Sequence, residues 1–406
     1  MGEMTGRGRI DYDRRRSWLI TFTVWLLLVF IVAYEIVPAS LLPLVMESLN
    51  VGPTAASWLV SSLVLGMAVF SVPVGIVLDR IDNRRAIGLG TIATGAMIVW
   101  GYEAGRTGAY LSLLVSRFLA GMTIVVVWTA GVNVVGAAFE DERQATAIGV
   151  FATGVPAGFA LGQFSGPLLA TRFGWAGTFL VYGAFAGIAM VVYWLISRRS
   201  QPTTTTDDLP TTDDFRQVLT SRNVWIVSII AFAAFSLNLI FNNWMPTYIT
   251  QQFSVSLAEG GLLAAIFPAI GIISRAASGT ISDRLFDNRR RPIVLISFGV
   301  VTPLVFGFGL IKVVVMLLFG LIAAGFFIQL GLGLLFTYVR ELVAKNVVGT
   351  ALAVLNAVGF VGGFSAPIIT GTLIERTGSF AAVFAYAGGL AVLSTVLAWY
   401  APETDI

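Results

Sequence analysis

Neither cysteine nor histidine occurs among the 406 residues. The first absence excludes disulfides and thiolate chemistry and leaves the redox compartment open. The two together argue against a transition-metal site, and no cofactor is expected. Charge is scarce as well: Asp, Glu, Lys and Arg make up 12% of the chain, where a soluble domain carries about 25%. Lysine is nearly missing, with Lys312 and Lys345 alone. No glycine-rich phosphate loop is found, so ATP is not the expected energy source. The few polar positions inside apolar runs form no nucleophile–base pair, which argues against an enzyme.

Apolar residues fill the chain instead. They make up 57% of it, with a mean hydropathy of +0.86, and this marks a membrane protein. Runs of about 20 residues, each long enough to cross about 30 Å of hydrocarbon, lie at 18–46, 55–78, 86–102, 109–138, 145–171, 176–197, 224–250, 256–282, 292–311, 313–339, 347–374 and 379–401. The reading is an all-α fold of twelve transmembrane helices. The first run is longer than a signal-peptide core and no small-residue cleavage site follows it, so no cleavable leader is expected. Of 25 Lys and Arg, nineteen fall on segments that share a side with both termini, among them Arg14–Arg16, Arg84, Arg85, Arg198, Arg199 and Arg289–Arg291. Four (Arg106, Arg172, Lys312 and Arg376) fall on the other side, and Arg117 and Arg275 lie inside spans. Positive charge collects on the cytoplasmic side. Both termini are therefore expected in the cytoplasm of a multi-pass protein of the cell (plasma or inner) membrane. The net charge of +3 and pI of 9.3 follow from that topology and give no reason to expect a nucleic-acid partner.

The stretch GIVLDRIDNRR at 75–85 returns as GTISDRLFDNRRR at 279–291, 204 residues later. A second echo, GQFSGPLL at 162–169 and GGFSAPII at 362–369, is offset by 200. A unit of about 200 residues thus occurs twice, predicting two pseudo-symmetric six-helix bundles. Residues 1–197 form the first and 224–406 the second. The Pro/Thr-rich connection 198–223 reads as a flexible linker. In each motif an acid, Asp79 or Asp283, stands at the C-terminal end of the second helix, facing the negative end of its dipole. It needs a partner: an arginine of its own loop (Arg80 and Arg85, or Arg284) or the N-terminus of a neighbouring helix. Gly75 and Gly279 are expected to let that neighbour come close. A contact of this kind, made in one conformation and broken in another, is a gate latch. The plainer alternative is a topology anchor.

The pattern G-x-x-x-D-R with arginines following, after the second and eighth spans, resembles the cytoplasmic-loop signature of the major facilitator superfamily. RFLAG (117–121) and the Gly/Pro-rich fifth span GVPAGFALGQFSGP also fit, and the resemblance covers essentially the whole chain. Asp82 stands where a glycine is usual. The resemblance implies two six-helix bundles about a central cavity, alternating access by rocking, and a substrate site near the midplane.

Of 22 Asp and Glu, only Glu35 lies well inside a span. A charge there costs a few kcal/mol even on lenient scales, so it should face a cavity and have a partner. Arg117 in the fourth span lies at similar depth. A fixed structural ion pair is one reading, and a carboxyl that takes and releases a proton is the other. Arg275 offers a permanently charged planar fork suited to carboxylate and other planar oxyanions, unless it snorkels to the surface. Asn238, Asn242 and Asn356 lie at compatible depth and can satisfy remaining oxyanion lone pairs without adding charge, though each is also a plain interhelical hydrogen bonder. Tyr34 and Trp128, with Trp244, Tyr248, Phe267 and Tyr338, are candidates to line the cavity.

NNWMPTYI (242–249), GIISRAASGTISDR (271–284) and GTALAVLNAVGFVGGFSAP (349–367) are similar to the anion:cation symporter branch and its nitrate- and oxalate-transporting relatives. In those relatives an arginine matching Arg275 binds the anion. The chain departs from them at Ser71, which stands where nitrate porters carry a second arginine, in having no lysine in the eleventh span, and in having no glutamate after Arg117. One cavity arginine favours a monoanion over a dianion. The expected function is secondary transport of a small organic or inorganic monoanion by proton symport or anion exchange, with protons or a counter-anion and the lipid bilayer as its other partners and a monomer as the working unit. Two alternatives stay open: a proton-coupled efflux antiporter for amphipathic compounds, and a membrane receptor without transport.

Overall fold

Within hydrocarbon every backbone N–H and C=O must find its partner inside the chain, which a helix achieves alone. The computed structural model describes residues 14–78, 80–197, 212–287, 289–344 and 347–403, and among them the regular structure is helical throughout. The helices are α1 (Arg14–Ser40), α2 (Leu42–Leu49), α3 (Pro53–Leu78), α4 (Asn83–Arg106), α5 (Tyr110–Ala137), α6 (Asp141–Ala152), α7 (Gly154–Ile196), α8 (Thr212–Thr220), α9 (Arg222–Phe253), α10 (Leu257–Leu285), α11 (Arg291–Phe308), α12 (Val314–Glu341), α13 (Val348–Thr377) and α14 (Phe380–Tyr400). Their ends follow local chemistry. Asp82 caps α4 by accepting from the Arg84 N–H at 2.9 Å, Ser256 and Glu259 form a reciprocal capping box on α10, and Gly378 in the left-handed region closes α13.

Two details set the span count. α7 holds two helices, because Gly174 at φ 69 and ψ 166 takes a backbone shape open to glycine and breaks the run. α6 and the first part of α7 are in turn one bent span, since Pro156 cannot donate to the carbonyl of Ala152. α4 is less apolar than the other long helices, yet its 24 residues reach about 36 Å at ~1.5 Å per residue. The twelve spans are therefore α1, α3, α4, α5, α6 with α7 to Gly174, the rest of α7, and α9 to α14. In the stretch read as a linker, Thr212–Thr220 is helical, and residues 198–211 lie outside the described structure.

Packing repeats with the sequence. In the first half α1 lies on α7, α3 on α5, and α4 on both α5 and α7; in the second, α9 lies on α13, α10 on α12, and α11 on both α12 and α14. The halves meet along α3 with α13, α7 with α10, and α1 with α9, again a two-fold pattern. Their side-chain contacts gather toward the face opposite the termini. Trp244 seats against Leu42 and Ala56 in an apolar plug, Trp58 packs edge-on to Phe364 at 5.6 Å, and Glu375 accepts from the Thr54 N–H at 3.1 Å. Toward the termini, Val72 and Val77 of α3 and Ile273 of α10 are at least half exposed. Trp244, read as a cavity residue, is thus part of the plug.

α3 and α5 pack backbone to backbone, and a Cβ on Gly121 would stand 2.0 Å from the Leu63 carbonyl oxygen. Its counterpart 204 residues on, Gly325, approaches the Phe267 carbonyl in the same way. Gly121→Ala is expected to force these backbones apart and to destabilise the protein by at least ~1–3 kcal/mol, read as a lower melting temperature in detergent. Gly75→Ala is the control. A Cβ on Gly75 or on Gly279 meets nothing within 4 Å, so no neighbouring helix presses against these two glycines in this conformation.

Candidate functional site

The repeated loops close on themselves in different ways. Asp79 lies outside the described residues, and Arg80 is exposed. Arg85 stands 3.9 Å from Asp82, largely in solvent. Arg84 covers the Trp194 ring and donates to its carbonyl at 2.7 Å, and Arg291 donates to the Trp399 carbonyl in the matching place of the second half. Asp283 pairs with Arg290 at 2.6 Å, while Arg290 also holds Glu341 at the end of α12 at 2.8 Å. Arg284 is exposed. In the first half Asn133 of α5 donates to Asn83 at the start of α4 at 3.1 Å, a neutral link between these two helices. Arg290 is 7% exposed and Glu341 25%, against 51% for Asp283. Glu341→Gln should therefore lower stability by about 1–3 kcal/mol, the range for charge-assisted hydrogen bonds, and Asp283→Asn by less than about 1. Thermal unfolding of the two variants checks that order.

In the first half Arg117 is fully buried, but it does not pair with the Glu35 carboxylate. Pro38 has no N–H to give the carbonyl of Tyr34 one turn earlier in α1. Arg117 fills that gap, its Nη1 donating to the Tyr34 carbonyl at 3.0 Å and its Nη2 to that of Glu35. Its Nε reaches the Leu59 carbonyl across α3 at 2.9 Å, a reach that the close approach at Gly121 permits. The guanidinium lies 4.6 Å from the Tyr34 ring centre. The expected Glu35–Arg117 side-chain ion pair is thus replaced by a clasp on the backbone of α1. Tyr34 is also corrected as a cavity residue: it is fully buried and packs edge-on to Phe179 at 5.2 Å inside the first half. Trp128 is half-buried and stacks on Phe151 at 5.3 Å, within the same half's core. The Glu35 carboxyl is left without a hydrogen bond to a described residue, in a side chain only 6% exposed.

The second half brings together most of the polar residues that the sequence singled out. Arg275 of α10 donates from Nε to Gln329 Oε1 of α12 at 2.7 Å. Gln329 Nε2 donates to Asn238 Oδ1 of α9 at 2.8 Å, and Asn242 Nδ2 donates to the same oxygen at 3.1 Å. Gln163 of α7, in the other half, donates to Asn242 Oδ1 at 2.8 Å and to its carbonyl at 3.1 Å. Arg275 itself is half-buried, and its two terminal nitrogens, with four N–H between them, make no hydrogen bond to a described residue. No carboxylate among the described residues pairs with it. Asn356 of α13 is half-buried and stands apart from this chain of bonds. Gln163 and Gln329, both fully buried, were missed by a reading that searched the spans for charge and asparagine. Their signal was an amide in the middle of an apolar run.

Among the described residues, then, Arg275 keeps terminal donors without an acceptor and the Glu35 carboxyl makes no hydrogen bond. The chain is 26% identical over 377 residues to the Hexuronate transporter of Bacillus subtilis (strain 168), covering 87% of each protein. It is 22% identical over 335 residues to the Nitrite extrusion protein of the same organism, covering 82% of each. Its backbone follows that of a bacterial homologue of the human lysosomal transporter Spinster, solved in an inward-facing and unoccupied conformation, with a TM-score of 0.74 at 17% identity over 96% of both chains. The model of the Major Facilitator Superfamily matches residues 23–367, and the chain belongs to that superfamily of transporters.

Proposed function

We propose that this transporter carries a small organic or inorganic monoanion by alternating access, coupled to protons or to a counter-anion. The observation that carries the reading is Arg275: a fixed positive fork, oriented through Nε by Gln329 at 2.7 Å, with its outer donors unspent and no acid paired with it among the described residues. A planar oxyanion takes two parallel N–H bonds from such a fork. The relatives named for hexuronate and nitrite support an anionic cargo. The single arginine, with Ser71 in the matching place of the first half, favours one negative charge over two. Asn238, Asn242 and Asn356 stay in the proposal as polar lining.

The distribution of arginines puts both termini in the cytoplasm of a cell-membrane protein, working as a monomer. On that orientation the plug at Trp244 closes the outer face and the structure is inward-facing. Glu35 is the proton-coupling candidate, and Arg117 serves it indirectly by fixing the backbone of α1. The paired Asp283 and Arg290, and by analogy the Asp79 loop, are proposed gate elements that re-form as the halves rock. A thermal-shift screen of the purified protein against nitrate, formate, lactate, hexuronates and dicarboxylates tests the reading, because stabilisation follows occupancy. Monoanions should raise the melting temperature most. Stabilisation by amphipathic cations with every anion inert would favour an efflux antiporter instead.

A further inference from the structure

The hydrogen bonds from Arg275 to Gln163 have a fixed direction. Arginine can only donate. Gln329 must therefore turn its oxygen to Arg275 Nε and has its amide nitrogen left for Asn238. Asn238 in turn must present its oxygen, which also accepts from Asn242. Asn242 is then left with its oxygen facing α7, and only a donor can meet it there: Gln163 Nε2 at 2.8 Å. The ordering ends on Gln163 Oε1, which is buried and has no hydrogen-bond partner among the described residues. One obligate donor in α10 thus orients four side-chain amides, the last of them in the other half of the protein. Gln163 sits on the contact between the halves, where Gly261 of α10 packs so close that a Cβ there would be 2.5 Å from the Gln163 carbonyl oxygen.

We infer that Gln329, Asn238, Asn242 and Gln163 form a polarised relay that ties Arg275 to the closed contact between the halves, with Gln329 as its positioning residue and Gln163 as its end in the first half. This rests on Arg275 being the anion site only for its use in transport; the link between Arg275 and the contact stands on the hydrogen bonds. Breaking the relay at any member loosens the outer closure. Gln329 is the informative member, because α12 packs on α9, α10, α11 and α13 of its own half.

The absence of cysteine allows a direct test. Ser57 is fully buried at the outer contact, where a Cβ on Gly371 would lie 2.5 Å from its Oγ, so Ser57→Cys puts the chain's one thiol there. Its rate of reaction with a membrane-impermeant maleimide reports opening of that face. In this background Gln163→Leu and Gln329→Glu should each raise the rate roughly three- to tenfold, the span of one net hydrogen bond, and the double variant should rise no further. Gln329→Glu keeps an oxygen for Arg275 but turns a second oxygen, not a donor, toward Asn238. Its melting temperature should stay near that of the parent while the labelling rate rises, an outcome that general loosening of the fold does not give. Multiplying effects in the double variant, or a parental rate in Gln329→Glu, would overturn the relay. Adding nitrate to the parent separates the two claims: a labelling response to relay variants with no response to any monoanion would retain the relay and reject Arg275 as the anion site.

Discussion

Arg275→Lys is expected to weaken monoanion binding by about tenfold or more although the positive charge is kept. Lysine is a compact point charge with no planar fork, so it loses the paired N–H bonds to the anion. It also has no Nε to give to Gln329, whose oxygen now receives from Arg275 at 2.7 Å. Arg275→Gln removes the charge as well and should cost about a hundredfold, in line with loss of a desolvated charge partner. Isothermal titration of both variants with the best ligand of the thermal screen reads the effect. Parental affinity in the lysine variant would remove the fork from the account, and parental affinity in the glutamine variant would remove the residue.

Glu35→Gln should abolish accumulation of substrate driven by a pH gradient and leave exchange of labelled for unlabelled substrate intact. The chain has no histidine, so a proton held within the membrane needs a carboxyl, and Glu35 is the acid well inside a span. Its carboxyl has no hydrogen-bond partner among the described residues; Arg117 turns one N–H from each of its nitrogens to the carbonyls of Leu59, Tyr34 and Glu35 instead. A carboxyl so placed is free to change its protonation as water reaches it from one face or the other, and the glutamine variant mimics the protonated form at both. Proteoliposomes with and without an imposed pH gradient separate the two activities. Concentrative uptake surviving in the variant would make anion exchange the better mechanism.

Much of the architecture was legible because it follows from repetition and from the membrane. Runs long enough to span fixed the helices, the 204-residue echo fixed the two-fold plan, and the packing of α3 on α5 and α10 on α12 follows from it. Arg275 was legible for a related reason: a permanent charge in an apolar run has to be explained. Arg117 was equally visible but was read against the wrong partner. Its true acceptors are backbone oxygens, one of them released by Pro38 four residues after Tyr34, and a search for opposite charges does not find them. Gly75 and Gly279 were read from the motif as the place of a contact made in one conformation and broken in another, and in this conformation both face open space. The relay was the least legible part. It is neutral, its four members lie on three helices from both halves, and its order depends on which amide atom faces which neighbour.

The most direct test of the central claim, that Arg275 carries a small monoanion through alternating access, is counterflow in proteoliposomes. Vesicles loaded with millimolar unlabelled monoanion and diluted into a trace of the same labelled anion should take up label transiently above equilibrium. The same vesicles bearing Arg275→Gln should show only leak, with the Glu35→Gln variant retaining the overshoot. An overshoot of equal size with Arg275→Gln, or label entry from an amphipathic cation where every monoanion fails, would contradict the account.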